Sequence, residues 1–347
     1  MRCGSMTIST TSPGKRGASR HSRGSALLAV LWLTAALSAI AFSVATTVRG
    51  ETERTATALD GLREHYLATG AIDRTILYMM WGPGQRRPDG SAQFWEIGVS
   101  RLYHSFPTGD AIVEIIPAAS RLNLNSAKEE DLVRLLLAIG AEPARASDIA
   151  AGIVDWRTPA QGASLFDRFY LQSNPSFHAR HASFEEVEEV LLVKGMTPEL
   201  FYGSYVRDPE GRLVRRSGIR DCVSVNGSTT SFDVNTVEPA LLVSIGLNPA
   251  TVQQIVMRRR ERPFRSMAEL EPLRKFAGPA AQKLGFGGVA IYTLRATARY
   301  RLANGQLSES RRSVAATLRY FGPQVNPPYH VLRWQDNAPA DTAEWWQ

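Results

Sequence analysis

Asp155 and Asp167 flank a loop containing Pro159 and Gly162, where two carboxylates could gather around a hard cation such as calcium. Such a cation takes about six to eight oxygens, so the pair alone supplies few of them. His178-Ala179-Arg180-His181 has neither the helical spacing of a zinc pair nor a glutamate after its first histidine, and it follows Asn174-Pro175. Both histidines therefore read as loop residues. Arg258, Arg259, Arg260 and Arg262 form a basic cluster that could meet phosphate, although one cluster on a surface helix is more often a solvated face. No glycine-rich phosphate loop, no G-x-S-x-G elbow and no nucleophile with its base is present. The chain reads as a non-enzymatic protein.

The elements that would position these residues begin with a leader. Arg2, Lys15, Arg16, Arg20 and Arg23 precede Gly24 with no acidic residue among them, and they carry most of the +7 formal charge. About +2 remains for the rest, which gives no reason to expect a polyanionic partner. Ser25 to Val48 is uncharged, and at about 1.5 Å per residue a helix of that length spans about 36 Å, enough to cross a bilayer core of about 30 Å. A cleaved signal has a shorter apolar region, of about 7–15 residues. The excess of Lys and Arg before the span puts the N-terminus in the cytoplasm and residues 49–347 on the far side. Cys3 lies in the leader, so removing it leaves Cys222 alone, a small partly buried residue.

Past the span, Ala58, Leu59, Leu62, Tyr66, Ile72, Ile76, Leu77 and Met80 continue a near-3.6 period until Trp81-Gly82-Pro83-Gly84 breaks it. FWEIGVSRLYHSF and GDAIVEIIPAASRLNLN read as strands, and residues 289–321 read as a hairpin turning at Asn304-Gly305. Between the two sheet pieces lies a repeated helical region. Asn125-Ser126 matches Asn235-Thr236, Ile139-Gly140 matches Ile245-Gly246, Ile153 matches Ile255, and Ser183 with Glu186 matches Ser266 with Glu269. Ser126 and Thr236 are expected as helix caps, Gly140 and Gly246 as helix ends, and the two Ser/Glu pairs as capping boxes.

Units of this kind resemble helix-hairpin-helix and sterile-alpha-motif-like folds, so a membrane-anchored DNA-binding or uptake protein is the alternative. Phosphate-binding hairpins use glycine on both sides of an apolar residue, whereas the turns here are Gly140-Ala141-Glu142-Pro143 and Gly246-Leu247-Asn248-Pro249. The second glycine is missing from both, which argues against nucleic acid.

The leader RGSALLAVLWL resembles the type IV prepilin-like class, cut by a membrane aspartic peptidase after its glycine. The resemblance implies cleavage between Gly24 and Ser25 by a prepilin peptidase, followed by methylation of the new terminus. With SRLNLNSAKEEDLVRLLLAIG, IVDWR, SFEEVEEVLLVKGMTPELF, DVNTVEPALLVSIGL and PFRSMAEL in this order, the chain resembles the minor pseudopilin K family of type II secretion systems. The resemblance covers nearly the whole chain. It implies an α+β, type IV pilin-like fold, in which a long N-terminal helix lies on a small antiparallel sheet and a large two-lobed α-helical domain is inserted. Residues 1–24 would be the leader, 25–48 the transmembrane part of the helix and 49–81 its periplasmic part. Residues 94–120 and 289–322 would form the sheet, 121–288 the insert with units 121–205 and 231–287, and 323–347 a tail.

By the same resemblance the protein would be a tip or capping subunit in the cell inner membrane with its C-terminal domain in the periplasm. It would assemble with the I and J pseudopilins for secretion across the outer membrane. Ala29 stands at the fifth mature position, where most relatives of the wider class carry glutamate, and its lack of charge suits a subunit with nothing above it. The family region after IVDW carries further aspartates that supply calcium ligands. Here Arg157-Thr158-Pro159 and Gly162-Ala163-Ser164 replace most of them, leaving Asp155 and Asp167 as the calcium candidates and no cofactor as a requirement.

Overall fold

A computed structural model describes residues 22–339 apart from 89, 91, 161, 163, 209, 288 and 289. Leader residues 1–21 and the end of the tail, 340–347, lie outside the described residues. The chain divides into two compact units between Asp60 and Gly61, and one helix, α1 (Ser22–Trp81), runs through the division.

In the first unit α1 presents large apolar side chains such as Leu31, Trp32 and Phe42 to its surroundings. Its hydroxyls do not compete with that character. Thr34 donates to the Leu31 carbonyl at 2.9 Å, and Thr46 and Thr47 donate to the Ser43 carbonyl at 2.8 and 2.9 Å. These three hydroxyls are thus satisfied within their own helix, the condition for lying in lipid.

In the second unit the end of α1 packs on a sheet through Leu67, Ala68, Ala71, Ile72, Thr75, Ile76 and Met79. Leu62, Tyr66 and Leu77, which keep the same near-3.6 period, are exposed. The sheet is an antiparallel meander of β1 (Arg101–Phe106), β2 (Gly109–Pro117), β3 (Ile291–Tyr300), β4 (Arg312–Tyr320) and β5 (Tyr329–Gln335) in that order. Val113, Ile115, Leu294, Ala296, Val314 and Ala316 supply its side of the core. The turn at Asn304-Gly305 forms with Gly305 at φ +84°, where glycine carries no Cβ penalty.

Two sequence expectations change here. Residues 94–100 are not strand, because Gly98 at φ +98° turns the chain while Trp95 donates its indole N–H to the Val99 carbonyl at 2.9 Å. The segment 323–347 is more than a tail, since it contributes β5 as an edge of the sheet. Its residues are mostly exposed on both faces, so no alternation marks it as a strand.

The insert leaves the sheet after Pro117, returns at Ile291, and holds one continuous core of its own. Leu122–Asn123 pairs in parallel with Val223–Ser224, and Phe232–Asp233 pairs with Leu284–Gly285, so each unit closes on itself. The first unit therefore reaches Ser224, past the boundary at 205. Helices α2 (Glu129–Ala138), α3 (Pro143–Arg157), α4 (Pro239–Ser244), α5 (Pro249–Glu261) and α6 (Met267–Phe276) fill it, with α2 against both α3 and α4.

Gly140 (φ +92°) and Gly246 (φ +104°) end α2 and α4 in the same way. Ala141 N–H reaches back to Leu136 O at 2.9 Å and Leu247 N–H to Leu242 O at 3.2 Å, the Schellman pattern in both copies. Ser266 caps α6 through the Glu269 N–H, as its spacing predicts. The other capping expectations fail. Lys128 and Glu238 occupy the N-caps of α2 and α4, while Ser126 and Thr236 sit in the preceding turn, where the Thr236 hydroxyl donates to Asp233. Nor does Ser183 open a long helix. The Glu189 carboxylate folds back onto the Glu185 and Glu186 N–H groups at 2.8 and 2.9 Å and leaves only a 3₁₀ segment, Val187–Leu192.

Two buried ionisable groups oppose each other in acid. His104, buried 2.9 Å from the Thr75 hydroxyl, has its pKa lowered to about 4 by burial and then by Arg74. It stays neutral when folded while its unfolded counterpart gains a proton, so stability is lost as pH falls from about 6.5 towards 4. Burial instead raises the Asp233 carboxyl to about 6, so folding gains as pH falls from about 6 towards 4. Each effect is on the order of 3 kcal/mol. In urea unfolding of the full chain in detergent between pH 7 and 4, His104→Gln is expected to gain stability towards pH 4 relative to the unsubstituted chain, and Asp233→Asn to lose it.

Candidate functional site

The duplicated insert is built around a repeated clamp. Asn125 donates to Phe184 O at 3.0 Å and accepts from Phe184 N–H at 2.7 Å, while Asn235 does the same with Phe264 at 2.9 and 2.8 Å. Arg157 donates to Leu124 O and Ala127 O, and Arg259 to Val234 O at 3.1 Å and Val237 O at 2.7 Å. Each arginine stands four residues after the matched isoleucine, Ile153 or Ile255, a spacing that was visible in the sequence without revealing its use. The clamps tie each unit's first turn to its later helices.

Three of the four clustered arginines already have partners within the insert. Arg259 is engaged with carbonyls, and Arg258 and Arg262 lie 3.3 and 3.6 Å from the Glu269 carboxylate. The free N–H groups of α3 are met by the Glu142 carboxylate, 3.2 Å from both Ala144 N and Arg145 N, and Asn248 caps α5 through Thr251 N–H at 2.8 Å. A phosphate would find a carboxylate or an amide already in place.

Asp155 and Asp167 are brought together, with Ser164 between them. Ser164 Oγ donates to Asp155 Oδ2 at 2.9 Å and Ser164 N–H donates to Asp167 Oδ2 at 2.8 Å. His181, treated by sequence as a bystander, joins them with Nε2 3.0 Å from Asp167 Oδ1 and Nδ1 3.3 Å from the carbonyls of Asp155 and Thr158. The Ser164 N–H and then His181 hold the Asp167 carboxyl below its usual range, and Asp167 in turn raises the His181 imidazole. Among the described residues no three acidic, histidine or cysteine side chains gather as a metal cage. The carboxylates that would coordinate calcium already face donors, so this donor set does not fit a site that needs six or more free oxygens. His178 stays in the loop, and Cys222 is fully buried and unpaired, with burial pushing its thiol well up.

Gly24, Ser25 and Ala29 fall in the first turns of α1. Among the described residues this is the one helix long and apolar enough to cross a membrane.

Residues 118–202, the first unit of the insert, match the family model "Type II secretion system (T2SS), protein K". A Klebsiella pneumoniae protein described as type II secretion system protein K is 24% identical over 321 residues, 84% of this chain and 91% of that one. A chain of the crystal structure of the GspK–GspI–GspJ complex from the enterotoxigenic Escherichia coli type 2 secretion system shares the fold. It aligns with a TM-score of 0.54 and 15% identity over 84% of this chain and 100% of that chain. With an apolar N-terminal helix, an antiparallel sheet and a helical insert that carries the family match, the chain is similar to the protein K family of type II secretion systems.

Proposed function

We propose that this chain works without enzymatic chemistry, as a tip or capping subunit of the pseudopilus, anchored in the inner membrane by residues 25–48 with its N-terminus cytoplasmic. A prepilin peptidase cuts after Gly24, and Ser25 becomes the methylated mature terminus. The I and J pseudopilins are its partners, as the complex of the related fold suggests. The observation that carries this reading is the insert between β2 and β3. A domain of that bulk obstructs lateral packing in the body of a filament and has room at an end. Ala29 fits the same position, because a terminal subunit has no neighbour whose amine needs a charge.

The test is made in cells that supply a prepilin peptidase and the I and J pseudopilins. Mass spectrometry is expected to find the chain beginning at N-methylated Ser25, and affinity purification to recover both partners with it. Retention of residues 1–24, or copies at regular intervals along an imaged filament, would sink the reading.

A further inference from the structure

We infer that the loop between Asp155 and His181 is closed by side chains in place of calcium, with Ser164 and His181 supplying the donors that a cation would otherwise replace. Three of the four carboxylate oxygens of Asp155 and Asp167 already face a donor. Asp155 Oδ2 accepts from Ser164 Oγ at 2.9 Å, Asp167 Oδ2 from Ser164 N–H at 2.8 Å, and Asp167 Oδ1 lies 3.0 Å from His181 Nε2. The backbone carbonyls that would complete a coordination shell, those of Asp155 and Thr158, face His181 Nδ1 at 3.3 Å, and the Asp155 carbonyl also accepts from Thr158 N–H at 3.1 Å.

Ser164 fastens the loop from both sides of its hydroxyl. The hydroxyl donates to Asp155 while its oxygen accepts from Phe166 N–H at 3.1 Å and Asp167 N–H at 3.3 Å. His181 adopts φ +47°, the one left-handed non-glycine among the described residues. A side chain with a Cβ stays in that conformation only where its surroundings hold it, and its contacts on both ring nitrogens do so. Calcium would have to expel this ring and then find further oxygens, while Arg157, Pro159 and Ala160 have none in their side chains and the Thr158 hydroxyl already donates to the Val154 carbonyl at 2.6 Å.

The decisive comparison is thermal melting of the full chain in detergent, with saturating CaCl2 and with EGTA. The two melting temperatures are expected to agree within about 1 °C, where an occupied calcium site would add about 5 °C or more. His181→Ala is expected to lower the melting temperature by about 3 °C or more, equally in both media. Asp155→Asn keeps an acceptor for Ser164 and is expected to leave the calcium response as flat as before. A calcium-dependent rise in the unsubstituted chain overturns the inference, as does a His181→Ala variant that melts like it. Because calcium enters only the stability of this loop, either result leaves the assembly reading to its own test.

Discussion

Arg259→Ala is expected to lower the unfolding free energy of the full chain in detergent by about 3 kcal/mol, and Arg157→Ala by a similar amount. Each guanidinium donates to two carbonyls of the turn that opens its unit: Leu124 and Ala127 for Arg157, Val234 and Val237 for Arg259. These residues are buried, so truncation leaves two acceptors without donors and without water. Lysine is a poor substitute, since a point charge cannot fork to two carbonyls set three residues apart. Arg260, one position on and exposed, is the control, with an expected change within about 0.5 kcal/mol. Urea titrations of the three variants decide the matter. An Arg259→Ala protein as stable as the Arg260→Ala one would return Arg259 to the surface cluster that the sequence suggests.

The second large effect belongs to Trp156, in the IVDW motif. Trp156→Ala is expected to lose about 4 kcal/mol, at the level of large aromatic truncations in a core. The indole is 3% exposed, stacks on Phe184 at 6.3 Å and 15°, and meets Tyr170 edge-on at 5.5 Å. Its N–H also lies 3.3 Å from Glu189 Oε2, the carboxylate that holds the Glu185 and Glu186 N–H groups. Removing the ring therefore opens a cavity and loosens the 3₁₀ segment together. Trp156→Phe separates the two contributions, because it refills most of the cavity and cannot donate. Near-UV circular dichroism and urea unfolding should place it between the unsubstituted chain and Trp156→Ala. Equal losses for both variants would mean that the hydrogen bond, and not the packing, dominates.

Where a physical period or a fixed turn chemistry repeats, the sequence was readable. Gly140 and Gly246 sit at the same point of both units because the left-handed residue of a helix end admits glycine most easily. Asn125 and Asn235 could be matched as residues, although their task, holding the backbone of a phenylalanine far along the chain, could not. Long-range contacts of that kind leave no local pattern. His181 escaped for the same reason: it meets Asp167 from fourteen positions away, past a short helix, with a backbone angle that no propensity favours. Ser126 and Thr236 misled because a hydroxyl near a helix start is a good cap only when the backbone turns at that residue. Here the Ala127 and Val237 N–H groups bond to the Asn123 and Asp233 carbonyls and delay the helix to Glu129 and Pro239. The strand at Tyr329–Gln335 was missed because an edge exposed on both faces need not alternate.

The point where the insert leaves the sheet bears on the order of folding. Pro117 and Tyr292 are partners across β2 and β3, so the chain departs and returns through adjacent strands. Pairing those strands around an unfolded insert closes a loop of about 170 residues, which costs about 3 kcal/mol more in entropy than closing a tight hairpin. A folded insert removes most of that difference, because its parallel pairs at Leu122 with Val223 and Phe232 with Leu284 already gather the two ends. The large domain is then a splint that holds the two halves of the sheet within reach of each other.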